Sequence, residues 1–262
     1  MLIRRLETVK LYKFKISGKT SVFKRSDQNG SNTYSYTFMT QQSLKGILGA
    51  IIGLKGYDNS GLSPLIMDQS LEFNEVFKDL KISIVPVFSE ANFMYYYNTR
   101  TNATGLANKK EGKIGVSLLL REQWIVNVEY IVYLDVSLID EEYREKLKHN
   151  LKNEEAEFIP YLGRREHFAK VYDFKLVDGI IEEEKSFVCL STLPRADVSQ
   201  VEIISKGTDD IITFSEISPS GITSDFYHTF KEFVYTNQKV ELNETDIEGQ
   251  YYKVNEGTLC LY

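Results

Sequence analysis

The first clear pattern in this chain of 262 residues is an alternation of apolar and basic side chains near the N-terminus. Within 9–16, Tyr12 and Phe14 share one face, whereas Lys13 and Lys15 share the other. A period of two residues is typical of a β-strand. The pattern therefore predicts a strand with one apolar face and one basic face.

A helix is predicted after the polar stretch 26–35, whose composition is that of a loop. Thr40 is the predicted N-cap, because a Thr side chain can accept a backbone N–H of the first turn. Apolar residues then recur at helical spacing: Leu44, Ile47, Leu48, Ile51 and Ile52. The same segment holds three glycines: Gly46, Gly49 and Gly53. Glycine weakens a helix, so we interpret them as points of close approach to a sheet or a ligand, and Gly56 is predicted to end the helix.

The middle of the chain predicts strands on either side of a long polar connection. Segment 81–88 reads as a strand, and the polar residues 98–113 are interpreted as a protruding hairpin. Segments 114–120 and 125–136 are predicted strands that lead back into the core. An amphipathic helix is predicted over 140–151, with acidic residues at its N-terminal end.

The pattern changes near residue 172, where short strands begin to alternate with acidic turns. Residues 173–262 carry 17 acidic and 7 basic side chains, so we expect this region not to hold nucleic acid. The element order before that point matches a ferredoxin-like βαββαβ unit of the α+β class. We therefore predict a ferredoxin-like domain over 1–172, with its hairpin at about 93–120, and a smaller β-rich region over 173–262.

Charge is distributed unevenly along the chain. The net charge is −6, yet the first 26 residues contain eight Lys or Arg and only one acid, Glu7. An acidic protein with one basic segment is expected to bind an anionic partner through it, and phosphate backbones are the usual case. The aromatic content of 13% suits strands and also base stacking.

Several classes of chemistry are not indicated by the sequence. Gly18-Lys19-Thr20 resembles part of a phosphate-binding loop, but Lys13 occupies the position where that loop needs its first Gly. Zinc-protease and serine-hydrolase motifs are not found, and two Cys with three scattered His do not suggest a zinc site. We expect no cofactor and no metal. Without an N-terminal signal or a 20-residue apolar run, we expect a cytoplasmic protein with no membrane contact.

Three histidines are the only candidates for a general base near neutral pH. His149 reads as a surface residue at the end of a charged helix. His228 lies in the acidic region, where packing is the better interpretation. His167 follows Arg164 and Arg165, which favours a structural or phosphate-contacting role over catalysis.

Four segments together resemble the Cas-five family of CRISPR-associated proteins, in the order in which that family has them. Segment 14–25 is similar to the family's opening strand and loop, and 40–50 is similar to its first helix. Segment 121–130 resembles the return from the family's thumb, and 159–169 resembles its Pro-x-x-Leu-Gly-Arg-x-Glu-x-x-Ala loop. The proline often found before the first helix is missing, and the first helix looks most like type I-B members.

This resemblance implies a non-catalytic subunit of the Cascade surveillance complex in antiviral defence. Such a subunit holds the 5′ handle of CRISPR RNA and caps the filament of backbone subunits of the Cas-seven family. It also contacts the large PAM-reading subunit of the Cas-eight family, and it reaches target DNA only through the complex. The thumb would press on the guide, and an RRM-like sheet would support it.

The residues that we expect to contact RNA are basic or lie at the start of the first helix. They are Lys19, Lys24, Arg25, Ser43, Lys45, Arg100, Lys109, Lys110, Lys113, Arg121, Arg164 and Arg165. Lys and Arg supply salt-dependent affinity for phosphates, and a helix N-terminus offers N–H donors. No catalytic residue is expected.

Some of these residues have a second interpretation. Lys45 suits either a phosphate contact or a solvated face, and the lysines at 109–113 suit either RNA contact or a soluble loop. Arg121 is a candidate for an ion pair with Glu122 or Glu129. One of Arg164 and Arg165 is expected to contact RNA or a neighbouring subunit, while the other pairs with Glu166.

Two other functions compete with the RNA-binding subunit. The first is a metal-independent endoribonuclease that cuts CRISPR repeat RNA, as relatives in type I-C systems do. It would need a general base, and the available types are His167, Tyr12 or a Lys, without a clear constellation. The second is a protein-interaction domain that binds no RNA.

Overall fold

A computed structural model describes residues 8–28, 30–55, 72–88, 95–101, 119–204, 210–223 and 227–262. Strands dominate the described residues, and a large sheet packs against a few helices, which confirms the α+β class. None of the described helices is both long and apolar enough to span a bilayer.

Four long strands form the centre of the main sheet. β1 (Thr8–Ser21) lies between β5 (Leu119–Asp135) and β6 (Lys170–Ile181), and β3 (Lys81–Pro86) lies on the far side of β5. All three pairings, β6–β1, β1–β5 and β5–β3, are antiparallel. β1 therefore sits in the middle of the sheet, where its alternate residues can be buried on one face.

The helices cover the apolar face of this sheet. α1 (Gln41–Ile52), the short α2 (Glu72–Val76) and α3 (Glu141–Asn153) connect its strands. Phe14 and Ile16 of β1 are fully buried in the core that they share with the apolar stripe of α1. The alternating apolar residues of β1 and the apolar stripe of α1 therefore pack against each other in one core.

The boundaries of α1 follow the capping chemistry. Thr40 is the N-cap, as predicted, and its hydroxyl accepts the backbone N–H of Ser43 at 3.1 Å. The helix ends earlier than expected, because Gly53 takes the left-handed conformation (φ 80°) and its N–H bonds to Gly49. The prediction that Gly56 ends the helix is therefore wrong.

β5 differs from the two predicted strands, 114–120 and 125–136. Its described part runs without a break over Leu119–Asp135, and residues 114–118 lie outside the described part. The first half of β5 pairs with β4 (Tyr95–Thr101) on one edge and with β2 (Asn32–Thr33) on the other. β4 and β5 form the base of a hairpin at the predicted position of the thumb, whose remaining residues 102–118 are not described.

The C-terminal strands form two small sheets and also extend the main one. One small sheet contains β7 (Ser186–Val188), β12 (Lys239–Leu242) and β9 (Val198–Glu202). The other contains β10 (Thr213–Ile222), β11 (His228–Thr236) and β8 (Leu193–Pro194), which is followed by a 3-10 turn at Arg195–Asp197. β13 (Gln250–Val254) and β14 (Gly257–Leu261) join the main sheet beside β6. The proposed division near residue 172 falls within β6, and it stays a prediction.

Candidate nucleic-acid interface

A cleft of about 560 Å³ lies beside α1. Its walls come from the loop that follows β1, from α1, from the 158–165 loop and from the β10–β11 hairpin. The lining includes Lys24 and Arg165, whereas none of its described lining residues is Asp or Glu. In a chain with 37 acidic residues, a cleft that has cations and lacks carboxylates favours an anionic ligand.

Lys24 and Arg165 are the two cations of this cleft. Both are exposed, and neither forms an ion pair with another residue of the described chain. Unpaired basic side chains at the rim of a cleft can approach a phosphate without first breaking a salt bridge. The structure thus brings together two residues that are 141 positions apart in the sequence, both of which were predicted to contact RNA.

The first helix presents one face to the cleft, from Gln42 to Ala50. Ser43 and Gly46 line it, and a Cβ added at Gly46 would meet no other atom within 4 Å. Gly49 behaves differently, because a Cβ there would lie 2.7 Å from the Phe73 side chain. Of the three glycines of this segment, Gly46 leaves room for a ligand, Gly49 allows helix packing, and Gly53 forms the cap.

Apolar side chains form another part of the cleft. Phe158, Ile159 and Tyr161 line it and are 55%, 71% and 42% exposed. Exposed aromatic rings next to cations are typical of sites that bind single-stranded nucleic acid, because a base can stack while its phosphate meets a cation. The sequence motif around 159–169 drew attention to this loop, but it did not identify Phe158 or Tyr161.

The C-terminal region also contributes to the cleft, through Pro219, Ile222 and His228. This contribution was missed, because the acidic composition of residues 173–262 argued against a role in binding nucleic acid. None of the three contributing residues is acidic, so the local surface differs from the average of the region. No local sequence signal identifies them, since the hairpin reaches α1 only through the tertiary fold.

Two polar atoms of cleft residues are buried without a hydrogen-bond partner. They are Oε1 of Gln42 and Nδ1 of His228. Gln42 is only 8% exposed, and its side-chain amide nitrogen donates a hydrogen bond to Oδ1 of Asn74 at 3.5 Å. Buried polar atoms normally have partners, so the Gln42 oxygen can accept a hydrogen bond from a ligand, and His228 Nδ1 can accept or donate one according to its tautomer.

Arg100 and Arg164 meet at the base of the hairpin rather than in the cleft. The buried Glu122 carboxylate binds the Arg164 guanidinium directly and lies 3.7 Å from that of Arg100. Arg100 also lies 3.8 Å from Glu166. The expectation that one arginine of the 164–165 pair would bond to Glu166 is wrong, because Arg164 pairs with Glu122 and Arg165 forms no ion pair with a described residue.

His167 is a structural residue in this arrangement. It is only 2% exposed, its Nδ1 lies 2.6 Å from the Thr20 hydroxyl, and its ring meets Trp124 edge-on at 4.8 Å. Burial is the main cause that lowers the pKa of His167, so its neutral form is favoured. Its burial fits the structural role, one of the two roles that the sequence favoured for His167.

Lys45 does not lie on an accessible face. It is 6% exposed, and its ammonium group donates to the Lys78 carbonyl at 3.5 Å. Burial lowers the pKa of Lys45. The expectation of a solvated or phosphate-facing side chain is therefore wrong, because α1 packs this face against the segment that follows α2.

The remaining predicted residues lie in different places. Lys19 and Arg121 are exposed and form no ion pair with another described residue, and Arg121 does not pair with Glu122 or Glu129. Arg25 is held by Asp27 at 3.1 Å. Lys109, Lys110 and Lys113 lie outside the described residues.

The basic face of β1 is largely neutralised by carboxylates from other parts of the chain. Lys15 pairs with Glu129 of β5 at 3.1 Å, and Lys13 bonds to Glu256 in the turn between β13 and β14. Lys10, on the same face as Tyr12, pairs with Asp178 of β6 at 2.5 Å. The sequence therefore overestimates the charge of this face. Among the described residues up to 26, the cations without an ion-pair partner in the described chain are Lys19 and Lys24.

Comparison with known proteins identifies the family. A family model described as CRISPR-associated protein (Cas_Cas5) matches residues 11–200, which is most of the chain. The chain belongs to the Cas5 family. A search of curated proteins finds no match.

Two solved structures illustrate what this Cas5 protein is similar to. A crystal structure of a CRISPR protein from Archaeoglobus fulgidus is 10% identical, covers 96% of this chain and 98% of its own, and has a TM-score of 0.50. A chain of a CRISPR RNA-guided surveillance complex is 12% identical over 88% of this chain and 91% of its own, with a TM-score of 0.46. At such low identity, the first of these similarities supports a shared fold and nothing finer.

Proposed function

We propose that this Cas5 protein is a non-catalytic subunit of a type I-B CRISPR surveillance complex in the cytoplasm. In this proposal the central strands β6–β1–β5–β3 and their helices are a ferredoxin-like unit. The subunit holds the 5′ handle of CRISPR RNA, caps the filament of backbone subunits and lies next to the large PAM-reading subunit. It reaches target DNA only through that complex.

The observation that carries this proposal is the charge of the cleft beside α1. Lys24 and Arg165 lie in it without ion-pair partners in the described chain, and none of the described lining residues is acidic. Ser43 and the open backbone at Gly46 give a phosphate further room to approach. Exposed Phe158 and Tyr161 offer rings on which unstacked bases can lie.

The absence of catalysis is supported by the positions of the two candidate bases. Tyr12 and His167 belong to different parts of the sheet: His167 contacts Thr20, which lies eight residues beyond Tyr12 along β1. At ~3.3 Å per residue, this separates Tyr12 from Thr20 by roughly 26 Å. Burial also raises the pKa of Tyr12, so that its phenol resists ionisation. A shared active site that uses both groups is not favoured by this geometry.

Binding of handle RNA by the full chain tests the proposal. The double variant Lys24→Glu/Arg165→Glu should weaken binding at least tenfold, and each lost phosphate contact should reduce the slope of log K against log salt by about 0.7. Lys148→Glu/Lys152→Glu on α3 applies the same change of charge to residues that do not line the cleft, so it should leave affinity nearly unchanged. Failure of the wild-type protein to bind handle RNA, alone or with its filament subunit, would contradict the proposal.

Two further measurements address the alternatives. Incubation of the protein with CRISPR repeat RNA in the presence of a chelator should leave the RNA intact, whereas cleavage would favour the endoribonuclease. Charge reversal of Lys109, Lys110 and Lys113 should weaken RNA binding more at low salt than at high salt. If the variant at positions 109, 110 and 113 binds RNA as tightly as the wild type at every salt concentration, these thumb lysines do not contact the RNA.

A further inference from the structure

The β10–β11 hairpin forms one wall of the cleft, although it belongs to the acidic C-terminal region. Its contribution consists of Pro219, Ile222 and His228, and Ile222 also packs against the main core. The cleft is therefore built jointly by both parts of the chain.

This wall is held in place by specific contacts. Glu216 of β10 accepts the backbone N–H of Thr37, just before α1, and lies 4.0 Å from Arg25. The Phe38 ring meets Phe214 of β10 edge-on at 5.9 Å between ring centroids. Because these contacts fix the hairpin against the start of α1, His228 has a defined position relative to the other cleft residues.

His228 has hydrogen-bonding capacity that the described chain does not use. Its Nδ1 is buried without a partner, and no hydrogen bond to its other ring nitrogen is formed by the described residues. Gln42, on α1, also lines the cleft and has an unpartnered carbonyl oxygen. A group that is buried and unpaired in the free protein gains most when a ligand supplies the missing partner.

We propose that the β10–β11 hairpin is part of the RNA site and that His228 hydrogen-bonds to the bound strand. This inference rests on the proposed function. The acidic composition of the C-terminal region does not oppose it, because the residues that this region places in the cleft carry no negative charge. The ligand is single-stranded RNA, whose bases and ribose hydroxyls offer both donors and acceptors to an imidazole.

Substitution of His228 in the full chain tests this inference against handle RNA. His228→Ala should weaken binding about fivefold, as expected for the loss of one hydrogen bond, and His228→Gln should recover part of the loss. His149→Ala is the matched control, because His149 lies exposed on α3 away from the cleft and should be neutral. Circular dichroism and thermal unfolding of each variant separate a binding effect from a folding defect.

A second measurement detects proximity without relying on affinity. Cys189 and Cys260 are buried, at 1% and 0% exposure, and burial raises the pKa of both thiols, so an introduced cysteine is the reactive one. RNA should slow alkylation of the thiol introduced by His228→Cys. It should not slow alkylation of the thiol introduced by Ile217→Cys, on the same hairpin but outside the cleft lining.

The outcomes separate this inference from the proposed function. If Lys24→Glu/Arg165→Glu loses affinity while His228→Ala binds like the wild type and RNA gives no protection at position 228, the hairpin is not part of the site and the proposed function stands. If the wild-type protein binds no RNA, both ideas are wrong. Loss of affinity in His228→Ala together with protection at position 228 supports the hairpin as part of the site.

Discussion

Glu216 accepts the backbone N–H of Thr37 through both of its carboxylate oxygens, at 3.1 and 3.0 Å. This contact joins β10 to the segment that leads into α1, 179 residues earlier in the chain. Glu216 is largely removed from water, and burial raises its pKa, although its hydrogen bonds and Arg25 act in the opposite direction. The folded protein thus holds a proton on Glu216 more tightly than the unfolded chain does.

A pH-dependent stability follows from this relationship. A raised pKa in the folded state makes the contribution of Glu216 to stability largest below its unfolded-state pKa, and that contribution is lost as the pH rises through the folded-state pKa. Glu216→Gln removes this titration, so the variant should gain stability relative to the wild type between pH 4 and pH 7. Urea unfolding at several pH values measures the difference. A wild type that gains stability relative to the variant as the pH rises would show that hydrogen bonding to the carboxylate outweighs burial.

Glu122 is expected to stabilise the base of the hairpin. Its buried carboxylate binds Arg164 and lies near Arg100, while the indole N–H of Trp124 donates to it at 3.4 Å. Glu122→Gln keeps the shape but removes the anion that Arg164 binds and one of the two carboxylates that face Arg100, which should lower the free energy of unfolding by about 1–3 kcal/mol.

Glu166→Gln is the matched control for this prediction. Glu166 also faces Arg100, at 3.8 Å, but it is 46% exposed, and exposed ion pairs contribute only ~0–1 kcal/mol. Chemical unfolding of both variants measures the difference. Equal effects of the two substitutions would mean that burial of Glu122 adds nothing to its contacts.

The sequence predicts the central elements well because their patterns are local. The alternation in β1 and the stripe and N-cap of α1 each depend on neighbouring residues, and all three predictions are confirmed. The end of α1 was misplaced because two glycines three residues apart can both end a helix, and the left-handed cap forms at Gly53. The charge of β1 was overestimated because the partners of Lys13 and Lys15 lie far along the chain, in the turn after β13 and on β5.

The candidate site was predictable only in part, for a similar reason. Lys24, Ser43 and Arg165 were found from charge and from a family motif, and they line one cleft. His228 was assigned to packing because nothing in its neighbourhood links it to α1. A residue whose role depends on a contact between distant elements carries no local signal.

Lys45 provides a test of accessibility. Since burial lowers its pKa, the charged ammonium is disfavoured in the folded state. Lys45→Met keeps a flexible side chain of similar length and removes the charge, so it should raise the free energy of unfolding at pH 7 by about 1 kcal/mol. Affinity for handle RNA should not change, because the side chain is 6% exposed and does not line the cleft. A substantial loss of RNA affinity in Lys45→Met would mean that Lys45 contacts the RNA after all.

Substitutions at Gly46 and Gly49 test whether each glycine of α1 leaves space for RNA or for packing against α2. A Cβ at this position would meet no atom within 4 Å, so Gly46→Ala should stabilise α1 by about 0.5–1 kcal/mol. If the RNA backbone approaches here, Gly46→Leu should weaken RNA binding without lowering the melting temperature. Gly49→Ala should instead lower the melting temperature, because its Cβ would lie 2.7 Å from Phe73. Thermal unfolding and RNA titration of the three variants measure both effects. Unchanged RNA affinity in Gly46→Leu would mean that the RNA does not pass over α1.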